Sequence, residues 1–348
     1  MKKQKLRIVV LMGGPSAEHD ISLHTGQQIL RALDAKRYTA TPVIITKKGE
    51  WIMRPGGRQH TMLKTKNKVS QARVLTLLAK KADMVFIALH GTFGEDGTIQ
   101  SLLGGFGIPY TGSGILASAL GMDKTRSSQL FRDAGMTVPA FRIVSADMIK
   151  RMNKQQTQAI VREFALPLVI KPSDQGSSVG VSIVQKAKDI PMAIAAAEKY
   201  SPNIIIQKFI KGREITCAVI DRIEKGKRIT VALPPMEIVP RLGAFYDYQS
   251  KYAKAGSDHL IPPPHMSATT IKTIQDTAHH AHTLIGCSGM SRSDFMLDDN
   301  NKLHILQINT IPGMTSTSLL PQAAQHIGIE FSELLHCIVE SALKNKSS

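Results

Sequence analysis

The chain has 348 residues, of which 43% are hydrophobic and 20% charged, and it carries a formal net charge of +17. That length exceeds what one compact core holds and points to two or three domains folding as a unit, and the composition excludes a disordered chain, a collagen and a disulfide scaffold. The positive charge is scattered in small groups such as Lys47-Lys48 and Lys80-Lys81, and aromatics make up only 5%. A solvated basic surface is therefore the reading, and a nucleic-acid partner is not expected, since such a groove gathers its cations around stacking aromatics.

From the start of the chain, the apolar run Ile8–Met12 follows a few lysines but is too short for a leader's apolar core, and no small-residue cleavage site follows it. It reads instead as a buried strand, Leu6–Met12, entering a Gly13-Gly14 turn. Thr41–Ile45 and Met84–Leu89 read as further buried strands. Amphipathic stretches at Ser22–Leu33 and Ile115–Ala134 lie between and after them, with Gly135 as a helix stop. This alternation argues for an open, mostly parallel α/β sheet.

A second unit begins near Asp123. Leu168–Lys171 and Val179–Val184 read as two strands joined by a small-residue loop, and Asn203–Gln207 and Ile215–Ile220 as two more. Ile190–Tyr200 is a helix opened by Pro191. A third unit holds the β-branched strand Arg228–Leu233, a loop over 240–264, a helix Ala268–Ile285, paired strands at Asp294–Leu297 and His304–Ile308, and a helix Glu330–Leu343. The expected division is 1–122, 123–214 and 215–348. No apolar stretch approaches the ~20 residues that span a bilayer, so a membrane partner is not expected. The three cysteines have no metal-ligand spacing and read as reduced, small hydrophobes of a cytoplasmic protein.

Four segments carry candidate chemistry. Gly176, Ser177, Ser178 and Gly180 leave backbone N–H groups uncovered and suit a phosphate, with Lys171 as a charge clamp at the preceding strand end; the plain alternative is a hairpin turn. Asp294, Gln307 and Asn309 fall on adjacent strands where three oxygens would converge on Mg²⁺, or would merely decorate a solvated face. His90-Gly-Thr-Phe-Gly-Glu95-Asp-Gly follows a strand at the end where α/β sheets bind ligands, or is a tight connection. Asn309-Thr-Ile-Pro-Gly313-Met-Thr-Ser-Thr-Ser318 would offer N–H groups to an anion at a helix start, or cap that helix.

In their order along the chain these segments resemble the D-alanine–D-alanine ligases of the ATP-grasp superfamily. The resemblance is carried by Gly13-Gly-Pro-Ser-Ala-Glu18-His-Asp-Ile-Ser, the His90 segment, Met122-Asp-Lys124 and Lys171-Pro-Ser-Asp-Gln-Gly-Ser-Ser-Val-Gly. It continues through Phe245-Tyr-Asp-Tyr-Gln-Ser-Lys251-Tyr252, Arg292-Ser-Asp294 and the segment from Asn309 to Leu319. It implies an α/β fold, α+β in the ATP-grasp part, with three domains: an N-terminal open parallel sheet and two ATP-grasp subdomains clasping the nucleotide. It implies that ATP phosphorylates one D-alanine carboxylate and that the amine of a second attacks the acyl phosphate, yielding a dipeptide for peptidoglycan synthesis.

The resemblance also implies roles. Glu18 holds the first ammonium by a charge-assisted hydrogen bond. Lys124, Lys171 and Ser177 bind the nucleotide phosphates, with Gln207, Lys208, Phe209 and Ile210 forming the adenine hinge and Glu214 meeting the ribose. Arg292 and the Gly313 N–H stabilise the oxyanion. His90, Ser318 and the Leu319 N–H take the second substrate. Lys251 and Tyr252 sit in a lid at about 240–264, Tyr252 hydrogen-bonding to Ser177, and the lid closes to exclude water. Asp294, Gln307 and Asn309 hold Mg²⁺ or Mn²⁺, two ions being expected, and a homodimer forms through the N-terminal domain.

Three positions usually acidic in the family, 207, 249 and 307, carry glutamine here. Gln307 matters most: its carbonyl can ligate Mg²⁺ but lacks the charge that offsets two cations, so weaker binding of one metal and a lower rate are expected. The alternatives are a ligase with D-serine as second substrate, or an ATP-grasp protein that keeps the nucleotide and has lost turnover. The intact lid motif argues against D-lactate.

Overall fold

A computed structural model describes residues 4–53, 68–150, 153–177, 179–241 and 256–345. The strand β1 (Leu6–Gly13) is buried along six consecutive residues, the pattern of a strand covered on both faces. After α1 (His19–Ala32) comes β2 (Tyr38–Ile45), parallel to β1, then β3 (Trp51–Met53), β4 (Lys68–Val69), α2 (Gln71–Lys81) and β5 (Met84–Ile87). The sheet order is β4-β3-β2-β1-β5. The three expected strands form its parallel part. The sheet is also extended by β3 and β4, which pair antiparallel at one edge. Gly13 ends β1 at φ +91, and a Cβ there would lie 2.2 Å from the Ile45 carbonyl oxygen. Only glycine permits that turn at that approach.

Beyond α3 (Thr98–Gly105), the single helical stretch expected over 115–134 is two helices, α4 (Ile115–Met122) and α5 (Lys124–Asp133). Asp123 breaks it: its backbone is extended, and its carboxylate accepts the N–H groups of Thr125 and Arg126 as an N-cap.

A four-stranded antiparallel sheet follows, built from β6 (Phe141–Ser145), β7 (Leu168–Pro172), β8 (Ser182–Val184) and β9 (Asn203–Lys208) in the order β6-β9-β7-β8. Three helices accompany it, α6 (Ala146–Lys150), α7 (Lys154–Phe164) and α8 (Ile190–Glu198). β8 is shorter than expected, beginning only at Ser182. Strand alternation sorts the two faces: Leu168, Ile170, Ile204 and Ile206 join one core with Ile160, Phe164 and Ile194, which leaves Val169, Lys171, Ile205 and Gln207 on the other.

The third sheet is built on β10 (Gly212–Glu224), with β11 (Lys227–Ala232), β12 (Met236–Pro240), β13 (Ser257–Leu260), β14 (Met290–Asp298) and β15 (Leu303–Asn309). Its order is β13-β12-β10-β14-β15, with β11 also on β10. Part of the expected loop over 240–264 is thus strand: β13 pairs with β12 from Glu237↔Leu260 to Pro240↔Ser257. α9 (Ala268–Ile285) has the expected bounds, set by Ser267 accepting the Thr270 N–H at its start and Gly286 at φ +78 after its end. α10 (Leu319–His326) and α11 (Phe331–Asn345) complete the described chain. Leu334, Leu335, Ile338 and Val339 of α11 are buried in one core with β1, β2 and β5. Among the described residues no helix is long and apolar enough to cross a membrane.

Candidate active site

A cleft of about 740 Å³ opens where the ends of these sheets meet. Its lining includes Glu18, His90, Lys124, Ser177, Arg292, Gln307, Asn309, Gly313, Ser318 and Leu319, all singled out from sequence and brought together from the length of the chain.

Glu18 precedes α1 and is 8% exposed. One carboxylate oxygen accepts the Ser177 hydroxyl. The other lies where a Cβ on either Gly91 or Gly176 would come within 2.8 Å, so two glycines make the space in which this carboxylate sits. Lys124, the first residue of α5, donates from Nζ to the Gln175 carbonyl at 2.5 Å. Its own N–H bonds to the Ser173 carbonyl, which ties the start of α5 to the 173–180 loop.

His90 is buried between Thr25, whose Oγ1 is 3.0 Å from Nε2, and Glu95, whose Oε1 is 3.4 Å from Nδ1. Burial alone would push this ring down. The hydrogen bond and charge of Glu95, with the charge of Glu18, outweigh burial and hold His90 above the ordinary histidine value. Burial in turn raises Glu95, so the pair retains a proton readily.

The six-stranded sheet carries a polar row on one face. Register places Thr216 opposite Asp294 and Asp294 opposite Gln307, with Arg292 opposite Asn309. Asp294 Oδ1 accepts from Thr216 Oγ1 and Arg292 Nε, each at 2.8 Å. Its Oδ2 accepts from Arg292 Nη2 at 2.9 Å and Gln307 Nε2 at 2.8 Å. The three expected metal ligands thus lie on adjacent strands, with Asp294 bonded to Gln307 and Asn309 two residues further along, and all are of the oxygen-donor kind that a hard cation takes. They offer one carboxylate, and Gln307 turns its amide nitrogen toward that carboxylate, which directs its carbonyl away from it. Among the described residues no group of three or more His, Cys, Asp or Glu could hold a metal.

The loop after β15 ends at α10. Ser318 Oγ accepts the Thr315 N–H at 3.1 Å and lies 2.7 Å from Thr315 Oγ1, and a Cβ at Gly313 would come within 2.9 Å of that oxygen. Leu319 opens α10, so its N–H is one of the donors that a helix start leaves without a partner inside the helix.

The other candidates stand away from this cleft lining. Lys171 and Gln207 share the face of the four-stranded sheet that turns away from its helix-covered core, and Gln207, 2% exposed, keeps an Nε2 with no hydrogen-bond partner among the described residues. Lys208, Phe209 and Ile210 follow it into the connection to β10, where Glu214 lies on the face of Thr216 and Asp294. Gln249, Lys251 and Tyr252 lie outside the described residues, as does Ser178. Thr25, Glu95, His259 and Gln322 also line the cleft or its network. Of these, Glu95 was visible as part of the His90 segment, whereas the others sit in no motif and are brought in by tertiary packing.

Residues 7–113 match the family model described as the D-ala D-ala ligase N-terminus, and residues 130–340 match the D-ala D-ala ligase C-terminus. This chain belongs to the D-alanine–D-alanine ligase family. A D-alanine–D-alanine ligase from Pelotomaculum thermopropionicum is 39% identical over 343 residues, 98% of each chain. Among solved structures of such ligases, the VanG D-Ala:D-Ser ligase of Enterococcus faecalis superposes with a TM-score of 0.80 at 31% identity, over 97% of this chain and all of that one. The Bacillus anthracis D-alanine–D-alanine ligase complexed with ATP gives 0.76 at 29%, over 98% and 99%. The α/β fold expected of the family, α+β in its ATP-grasp part, is the one found.

Proposed function

We propose that the chain joins two D-alanines into a dipeptide at the expense of ATP, through a D-alanyl phosphate, for peptidoglycan synthesis. The observation that carries this reading is the convergence of Glu18, Ser177, Arg292 and Ser318 on one cleft in a chain of this family. A carboxylate is a poor electrophile, and phosphorylation supplies its leaving group. Glu18 holds the first substrate's ammonium, and the Ser177 hydroxyl fixes the Glu18 carboxylate for that task. Arg292 and the Gly313 N–H meet the oxyanion as the second amine attacks. The second carboxylate lies at Ser318 and the N-terminus of α10, beside His90.

ATP lies against Lys124, Lys171 and the 173–180 loop, with its adenine toward Gln207–Ile210 and its ribose toward Glu214. The Nε2 of Gln207, which has no partner among the described residues, supports this placement, because a buried donor left unmet is costly unless a ligand meets it. Asp294, Gln307 and Asn309 hold Mg²⁺ or Mn²⁺, which when bound screens the nucleotide phosphates; two ions are the family expectation. Lys251 and Tyr252 act from the lid. The division at 1–122, 123–214 and 215–348, a cytoplasmic location and a homodimer belong to the same reading. Sedimentation tests the dimer.

The test is phosphate release from ATP and Mg²⁺ with D-alanine, L-alanine, D-serine or D-lactate, with products identified by mass. Turnover with D-alanine alone, giving the dipeptide, is expected. A mixed D-alanyl-D-serine product formed in preference would move the reading to the D-serine branch. Nucleotide binding with no phosphate release would overturn it in favour of a fold kept without catalysis.

A further inference from the structure

The loop carrying Ser318 is gripped from two sides by glutamines that belong to no motif. Gln28 of α1 accepts the Ser316 N–H at Oε1, 3.2 Å away, bridging 288 residues of chain, and its Nε2 lies 3.0 Å from His24 Nε2. Gln322 of α10 donates from Nε2 to the Thr317 carbonyl at 2.8 Å, while its Oε1 lies 3.0 Å from His259 Nδ1. The other nitrogen of His259 reaches Ser257 Oγ at 3.1 Å on the same strand, β13. Each amide is thus oriented by a histidine on its far side and meets one of two adjacent residues of one loop. The polarities are opposite: Gln28 accepts from the loop, and Gln322 donates to it. The loop in turn sets Ser318 Oγ through Thr315.

We infer that Gln28 and Gln322 are positioning residues that hold loop 315–318 in register for the second substrate's carboxylate. The inference rests on the placement of that carboxylate at Ser318 and the start of α10. Gln28 ties the loop to the N-terminal sheet's own helix, and the Gln322–His259 pair ties it to β13, the strand within the 240–264 segment. Neither glutamine touches the reacting atoms. What they set is where the loop stands when the second D-alanine arrives.

The experiment is steady-state kinetics over a wide D-alanine range, resolving the KM of the first and second sites, on full-length Gln28→Leu, Gln322→Leu, Gln28→Glu, Gln322→Glu and Ser318→Ala. Each leucine variant loses one neutral hydrogen bond and is expected to raise the second-site KM about five- to tenfold, leaving the first-site KM and the KM for ATP in place. Gln28→Glu restores it, because a carboxylate still accepts the Ser316 N–H. Gln322→Glu does not, because a carboxylate cannot donate to Thr317. Unchanged second-site KM in both leucine variants, with Ser318→Ala raising it, overturns the inference and leaves the carboxylate site standing. Equal rises in both KM values reduce the glutamines to general structure and overturn it too. An inert Ser318→Ala removes the carboxylate placement itself.

Discussion

The Ser177 hydroxyl donates to the Glu18 carboxylate, joining the loop between β7 and β8 to the start of α1 across 159 residues of chain. Hydrogen bonds to ionised groups contribute about 1.5–3 kcal/mol, so Ser177→Ala is expected to lower kcat/KM for D-alanine roughly ten- to a hundredfold. Glu18→Gln, which removes the charge facing the ammonium, lowers it further. Gly176→Ala gives a finer test, since its Cβ would stand 2.8 Å from Glu18 Oε2. It should raise the first-site KM while the thermal midpoint stays near that of the parent, as read by kinetics and calorimetry side by side.

Gln307→Glu is expected to act in opposite directions with and without metal. The substitution removes the amide that donates to Asp294 at 2.8 Å and sets two carboxylates side by side, so the metal-free protein melts lower. With nucleotide present, Mn²⁺ binding followed by electron paramagnetic resonance tightens about tenfold, as a second carboxylate adds charge at a hard-cation site. A metal-free protein that melts higher would show that the amide is not supporting Asp294.

Asp123→Ala removes the cap that accepts the N–H groups of Thr125 and Arg126. Loss of such a cap costs about 1 kcal/mol, measurable by urea denaturation. Because α5 opens with Lys124, which lines the cleft and holds the Gln175 carbonyl through Nζ, the variant should also raise the KM for ATP. A stability loss with no kinetic change would separate the cap from the site.

Acid should destabilise the fold through His282. This ring is 3% exposed, with Nδ1 2.8 Å from Ser291 Oγ and Nε2 3.8 Å from Asp221 Oδ1. Burial pushes it down to about 4, against the pull of Asp221 and with help from His279 and Arg228. The unfolded chain therefore binds the extra proton below about pH 6.5. Stability is full above that value and falls on the order of 3 kcal/mol as the pH drops toward 4. His282→Gln should flatten the dependence of the thermal midpoint on pH between 7 and 5.

Continuous apolar runs made β1, β5 and the inner strands of the second sheet legible, and the glycine-rich segments marked the turns that meet in the cleft. The break at Asp123 was hidden because helical apolar spacing runs through it; only a side chain folded back onto two N–H groups reveals a new start. β13 was hidden for another reason. Ser257-Asp-His-Leu260 has a single strongly apolar residue and is a strand because β12 pairs with it, a non-local cause. The site residues lying in motifs could be named singly, and register then placed Asp294 beside Gln307 and Arg292 beside Asn309. Gln28, Gln322 and His259 had no such signal. Their bonds join α1 to the loop before α10 and α10 to β13, and nothing in their own neighbourhoods foretells those meetings.

The placement of α11 has a consequence for synthesis. Its Leu334, Leu335, Ile338 and Val339 share a core with the strands made first, and Tyr38 of β2 meets His336 of α11 at 2.5 Å. A ribosome that has completed β1, β2 and β5 has not yet made the helix that helps cover them. Until about 250 further residues emerge, at roughly 5–20 per second, those strands wait with part of their apolar surface open. Chains released early are natural substrates for chaperones and proteases, and an isolated N-terminal fragment should aggregate unless a peptide spanning 331–345 is supplied.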